Sequence, residues 1–281
     1  MLDYDCVEYQ SLEIKITGER DMNQDFSGRA VIVTGASSGI GRSIAVELGR
    51  AGAEVWLVGR SLGELAATAS MIADVGGPIA HTVPLNLRER GRLAELIAEV
   101  GRAHPHFFGL VNNAGVMHPE PILSGTVDRW QAMLDVNVMA MLEGCKAAVE
   151  VMRAQKKPGH LINIGSVQGR FEVPGVYGIS KHAAEYITAT LRAELEHDDI
   201  RVCTIIPGGF ATKLARGFEP AQLATIAGNL KALGIDPAGP GIERVVSDPQ
   251  HIANMVRYIL SQPIDLNIEE VVIRPPISTK A

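Results

Sequence analysis

Tyr177 and Lys181 stand four residues apart in the run Tyr-Gly-Ile-Ser-Lys, with Ser166 eleven residues before the tyrosine. On a helix that spacing puts a phenol and an ammonium on one face. A free phenol titrates near ~10, too high for efficient proton exchange at neutral pH, so a tyrosine that exchanges protons must have its phenolate stabilised. Lys181 is placed to lower that pKa through space. Alone, Tyr-x-x-x-Lys fits a solvated helix face equally well. Its meaning depends on what accompanies it.

The strongest companion is Ala30 to Gly41. Ala30, Val31, Ile32 and Val33 suit a buried parallel strand, and Thr34 to Gly41 then carries glycines at 35, 39 and 41. From Arg42 to Ala51 the chain reads as helix, with Ile44, Ala45 and Leu48 on one side, so the glycines fall in a strand-to-helix turn. There Gly35 permits a tight turn, Gly39 a close approach of backbone to a pyrophosphate, and Gly41 close packing of helix on strand. The helix N-terminus favours negative charge. A dinucleotide turn together with an activated phenol points to hydride transfer.

The bulk properties are those of an ordinary globular protein: 281 residues, 46 % hydrophobic, 21 % charged and a net charge of −6 without a basic run. Nucleic acid and anionic membranes are therefore not expected partners. No apolar stretch approaches the roughly 20 residues that span a bilayer. Met1 to Asp25 lacks the cationic start and apolar region of a secretory signal, so a cytoplasmic location is expected. Cys6, Cys145 and Cys203 are too few and scattered for a disulfide framework, and the eight histidines show no ligand spacing, so no catalytic metal is expected.

Apolar runs alternate with helical patterns along the rest of the chain. Glu54 to Val58, Ile79 to Val83, Phe107 to Val111, His160 to Ile164, Arg201 to Ile205 and Glu270 to Ile273 read as strands. Leu62 to Val75, Arg88 to Arg102, Val127 to Ala154, Val176 to Glu196 and Pro249 to Ser261 read as helices. The alternation implies an α/β chain: a single-domain Rossmann fold, doubly wound, with a parallel sheet of about seven strands and helices on both faces. Residues 1–27 form an N-terminal extension, where Leu12, Ile14 and Ile16 alternate like a short strand, and 28–281 form the domain. Within 212–248 an apolar stripe of Leu223, Ile226, Ala227, Leu230 and Leu233 suits either core or a substrate lid.

With these pieces in place, residues 27 to 277 resemble the short-chain dehydrogenase/reductase family, whose motifs occur here in order. Thr34 to Gly41 is similar to its cofactor turn, Asn112-Asn113-Ala114-Gly115 to its motif after the fourth strand, and Asn137 to its helix-four asparagine. Ser166, Tyr177 and Lys181 match its remaining active-site residues, and Pro207-Gly208-Gly209 with Phe210 and Thr212 its segment over the nicotinamide. The resemblance implies Tyr177 as general acid/base, Ser166 as partner of the substrate oxygen, Lys181 as phenolate stabiliser and ribose ligand, and Asn137 as holder of a relay water. It further implies cofactor contacts from Ser37, Ser38, Ile40, Asn113, Ala114 and Gly115, a dimer or tetramer through the long helices, and adenine contacts from Asn86 and Leu87. Asn86 stands where aspartate is more usual, and the Ser166 to Tyr177 interval is shorter by one or two residues than the family's.

The second strand ends Val58-Gly59-Arg60, so no carboxylate is placed to accept ribose hydroxyls and a guanidinium is placed to bind a 2′-phosphate. NADP(H) is therefore expected over NAD(H), although Arg60 stacked on adenine fits the same position. Met117, His118, Gln168, Phe171, Val173, Phe210 and Leu214 are expected to face a medium-sized, largely apolar carbonyl or alcohol substrate. Two other readings use the same motifs: a catalytically silent nucleotide-binding sensor or assembly protein, and an enzyme of this fold that dehydrates or epimerises.

Overall fold

The apolar runs that read as strands have two faces to fill, and the chain fills them by alternation. The computed structural model describes residues 25–172, 175–214, 218, 220–232, 234–236 and 239–277. In chain order, β1 (Ala30–Thr34) leads to α1 (Gly39–Arg50), β2 (Glu54–Gly59) to α2 (Leu62–Asp74), and β3 (His81–Pro84) to α3 (Arg92–Ala103). Next, β4 (Phe107–Asn112) leads to α4 (Val127–Leu134) and α5 (Ala140–Gln155), and β5 (Gly159–Ile164) to α6 (Val176–Glu194). Finally β6 (Ile200–Pro207) leads to α7 (Pro220–Ala232) and α8 (Gln250–Ser261), and β7 (Glu270–Ile273) ends the sheet.

All seven strands are parallel, in the order β3-β2-β1-β4-β5-β6-β7. Val31 and Val33 of β1 enter one core with Ile44 and Leu48 of α1 and Ile252 and Val256 of α8. Ala30 and Ile32 of the same strand enter the other with Ile97 of α3, Met141 and Met152 of α5, and Ala184 of α6. One strand thus serves both layers through its two-residue repeat. Strand order reverses between β1 and β4, and the crevice beyond their carboxyl ends is where an open parallel sheet takes a ligand.

The structure departs from the sequence reading at several places. The third strand is His81–Pro84, not Ile79 to Val83: it is an edge strand paired only with β2, and Ile79 is 84 % exposed. The third helix starts at Arg92 because Gly91 takes a left-handed φ of 79°, which breaks the helical run from Arg88. The single helix expected over Val127 to Ala154 is two, separated by a π turn at Asp135–Met139. Leu223 and Ile226 of α7 are exposed, so the 212–248 stripe is not continuous core. Among the described residues of the stripe only Leu230 is buried, in a small cluster with Ile235 and Val245. The strand-like Leu12, Ile14 and Ile16, together with Val173 and Leu233, lie outside the described residues.

A buried polar chain ties the central layers beneath the site. Asn112 on β4 donates to Asn163 on β5 at 2.9 Å and to the Cys145 sulfur on α5 at 3.3 Å. Asn163 in turn donates to the Thr188 hydroxyl on α6 at 2.9 Å. Burial pushes the Cys145 thiol up to about 12, so it acts here as a neutral polar contact. Every member is satisfied, and removing the middle one strands its neighbours. Asn163→Ala is expected to cost about 2–4 kcal/mol, because each orphaned buried group forfeits roughly 1–3 kcal/mol. Denaturant unfolding checks this; a loss below 1 kcal/mol on the same scale contradicts it.

Candidate active site

The glycine turn at the end of β1 closes tightly against the loop after β4. Gly35 has a φ of 70°, and a Cβ there would lie 2.8 Å from Asn113 Nδ2. At Gly41 a Cβ would lie 2.4 Å from both that atom and the Gly35 carbonyl oxygen, so α1 reaches its seat only without a side chain. The expected jobs of Gly35 and Gly41 are thus visible as geometry. Gly39 has a φ of 54°, and what its Cβ would meet is Thr212, at 3.1 Å. The segment after β6 therefore arches over the turn. Thr34, which sequence reasoning passed over as a site residue, holds the two loops together. Its hydroxyl accepts from Asn113 N and Ala114 N, each at 3.0 Å, and donates to Val111 O at 3.2 Å. Asn113 Nδ2 donates back to Thr34 O at 2.9 Å. Ser38, the N-cap of α1, makes no side-chain capping bond, which leaves the first N–H groups of the helix pointing outward from the turn with Ser37 and Ile40 beside them.

Four side chains converge beyond β4 and β5. Tyr177 and Lys181 are both buried on α6. Ser166 hydrogen-bonds the Tyr177 hydroxyl and also accepts from Gln168 N at 3.2 Å, as a strand-end serine opening the short helical turn Val167–Arg170. Lys181 Nζ donates to the Ile164 carbonyl at 2.8 Å. A Cβ on Gly115 would sit 3.6 Å from that nitrogen and 3.5 Å from Asn137 Oδ1, so Gly115, Lys181 and Asn137 share one small space.

Two expectations change here. The phenol does not fall below its ordinary value in this structure: burial pushes Tyr177 up to about 12, and the Ser166 hydrogen bond opposes it only in part. Burial likewise pulls Lys181 down to about 8. The Asn137 side chain is committed to protein partners, which leaves its second Oδ1 lone pair and its backbone carbonyl as the groups that can hold a water. Its Oδ1 accepts from Val116 N at 2.9 Å, and its amide donates to Val116 O and Ser180 Oγ, each at 3.0 Å. It fastens the loop after β4 to α6 from within the π turn, and that widened turn is what lets it face both.

Arg60 is exposed and makes no hydrogen bond or ion pair with another described residue, whereas nearby Arg42 is committed to Glu64 at 2.6 Å and to the Ser37 carbonyl. At Gly59 a Cβ would meet Leu65 at 3.1 Å and Ser37 at 3.4 Å. Asn86 is exposed, its side chain accepting from Arg88 N. Leu87 and Ala114 wall a small gap beside Thr34. Gly208 N donates to Ile273 O at 2.8 Å, which anchors Pro207 and Gly208 to β7. Of the expected substrate positions, Met117 and Leu214 pack in one apolar cluster with Tyr177, Met133 and Val176. Half-buried Gln168 follows Ser166, and burial lowers the pKa of His118. Phe210 instead packs against the core shared by α1 and α8. Phe171 lines a cavity of about 280 Å³ with Ile179 and His182, rotated around α6 from Tyr177. Among the described residues no group of His, Cys, Asp and Glu is placed to hold a metal ion.

The family model described as short chain dehydrogenase matches residues 29–223. The chain belongs to that family. An uncharacterised oxidoreductase of Staphylococcus saprophyticus is 35 % identical to this dehydrogenase over 254 residues, covering 89 % of this chain and 99 % of the relative. Among solved structures, a metagenomic short-chain oxidoreductase in complex with NADP superposes with a TM-score of 0.72 at 29 % identity, over 90 % of this chain and 99 % of that one. A short-chain type dehydrogenase/reductase from Mycobacterium marinum shares the fold, with a TM-score of 0.77 at 24 % identity over 89 % and 96 % of the two chains. The dehydrogenase is thus a single-domain oxidoreductase of Rossmann type, and among its described residues no helix is long and apolar enough to cross a membrane.

Proposed function

We propose that this chain is an NADP(H)-dependent oxidoreductase that interconverts a carbonyl compound and its alcohol, with Tyr177 as general acid/base. The observation that carries the reading is the buried contact of Ser166 with Tyr177 one helical turn from Lys181, at the mouth of the β1/β4 crevice. A sensor needs the crevice but not this set. The bound nicotinamide supplies or accepts the hydride. Tyr177, neutral across the physiological range, donates its proton to the substrate oxygen while Ser166 holds that oxygen in place. The phenolate that remains lies in a buried space, where the Lys181 ammonium is its counter-charge. Lys181 and Gly115 border the ribose position, and Gly35, Gly39, Gly41 and the open end of α1 fit the pyrophosphate. Met117 and Leu214, packed on Tyr177, form an apolar cover that suits an apolar substrate, with 212–248 as its lid.

Three features support NADP(H): Gly59 instead of a carboxylate, an unengaged Arg60, and NADP in the metagenomic relative. A dimer or tetramer through the long helices is supported by Leu142 of α5 and Ile179 and Tyr186 of α6, which are exposed on them.

Tyr177→Phe should remove the proton donor and keep nucleotide binding. Turnover should fall by about 10²–10⁴, the usual worth of acid/base catalysis, while NADPH fluorescence titration changes little. Retention of more than about a tenth of wild-type turnover contradicts the assignment. Arg60→Ala should cost NADPH about ten- to a hundredfold in kcat/KM, the worth of a charge-assisted hydrogen bond of ~1.5–3 kcal/mol, and leave NADH nearly unchanged. Equal losses with both cofactors would mean that Arg60 contacts adenine or supports the fold. Light scattering should give a mass at least twice the 30.1 kDa of the chain; a stable monomer at micromolar concentration contradicts association.

A further inference from the structure

The turn that carries Ser166 is seated on α6 by groups that the proposed chemistry does not use. Gly169 lies so near the helix that a Cβ would come within 2.9 Å of His182 N and 3.0 Å of the Lys181 carbonyl carbon. His182 Nδ1 is 3.1 Å from the Gly169 carbonyl. The next residue, Arg170, donates through Nε to Glu185 on α6 at 2.9 Å and through a terminal nitrogen to Glu270 on β7. One guanidinium therefore ties the Ser166 turn to the catalytic helix and to the sheet edge.

Glu185 stands one helical turn beyond Lys181, on the same face. Its side chain is 13 % exposed, and its second oxygen, Oε1, is buried without a hydrogen-bond partner. An ionised carboxylate in that setting is costly unless a nearby positive charge offsets its lost hydration. Arg170 bonds one oxygen only. Lys181, one helical turn away and raised by the Glu185 charge, is itself buried with a single backbone acceptor.

We propose that Glu185, oriented by Arg170, is a positioning residue that serves as the buried counter-charge of Lys181 and locks the Ser166 turn to the helix bearing Tyr177. The consequence for catalysis rests on the reading of Tyr177 and Lys181 as the proton-handling pair. The groups around Lys181 agree with the assignment. On its own helix the titratable neighbours are Tyr177, neutral in its buried site, His182 and Glu185; the Ser166 turn contributes Arg170, which also pairs with Glu270 of β7. From β5 it meets the Ile164 carbonyl, and from the loop after β4 and the π turn only the uncharged Gly115 and Asn137. Burial lowers the lysine and Glu185 alone pushes it back.

The coupling gives opposite signs for two substitutions, which loss of structure does not. The probe is the Lys181 side-chain ¹⁵N resonance in the full chain labelled with ¹⁵Nζ-lysine, titrated without nucleotide and assigned by its loss in Lys181→Met. Wild type is expected to titrate near the value of about 8 that burial sets. Glu185→Gln should move the midpoint down by about 0.5–1 unit, and Arg170→Ala should move it up by a similar amount, the size of the interaction between unit charges about 6–12 Å apart at an effective dielectric near 40. Arg170→Lys should return it toward wild type. If circular dichroism shows Arg170→Ala unfolded, Arg170→Gln takes its place with the same expected sign. Shifts of the same sign, or both below about 0.2 unit, would overturn the proposal. Because no turnover is read, that result would leave the role of Tyr177 untouched. Equally, an active Tyr177→Phe enzyme would leave the titration standing.

Discussion

Everything at this site depends on keeping an ammonium charged inside the protein. Lys181 is buried, donates to one backbone carbonyl and feels one carboxylate. Desolvation opposes its charge, and that same desolvation lets the charge act strongly on a phenolate formed nearby, since attraction grows as the local dielectric falls. The fold supplies the burial: α6 packs against β5 and β6, and its face toward the sheet carries Tyr177, Lys181, Ala184 and Thr188. The burial that lowers Lys181 also raises Tyr177, so the phenol stays protonated at neutral pH, as the proposed donor role requires.

Rigidity follows from how few groups around the site are free to move. Thr34 and Asn113 lock the glycine turn to the loop after β4; Asn137 locks that loop to α6; and Arg170 locks the serine turn to α6 and β7. Each fastener joins segments at least 15 residues apart, and each pairs polar atoms with backbone, a hydroxyl or a charge. Such fixed partners hold a reacting geometry more firmly than packing alone. The region after β6 differs. Leu223 and Ile226 of α7 are exposed, and the small cluster around Leu230 stands apart from the two main cores.

Sheet, helices and the positions of the main motifs were legible because local pattern and long-range order agree: buried strands read as unbroken apolar runs, and glycines mark the turn where β1 meets α1. Less legible were features that depend on partners distant in sequence. Nothing near Asp135 announces a π turn: the partners of Asn137 within it, Val116 and Ser180, are 21 and 43 residues away. The Ser166 to Tyr177 loop looked merely short. Its function as a clamp appears only when Arg170 meets Glu185 and Glu270, the latter 100 residues downstream. Phe171 is among the residues expected at the substrate, but the turn carries it around α6 to a cavity it shares with Ile179 and His182. The N-terminal strand pattern lies outside the described residues.

Hydride transfer, nucleotide sensing and a reaction without net redox change leave different products. NADPH carrying deuterium at the transferable position of C4, incubated with the chain and a panel of ketones and aldehydes, separates the three. The account predicts that at least one compound gives an alcohol bearing a single deuterium at the carbinol carbon, with one NADPH oxidised per alcohol formed. A nucleotide that binds and is never oxidised, or a product formed without loss of NADPH and without deuterium, would contradict it.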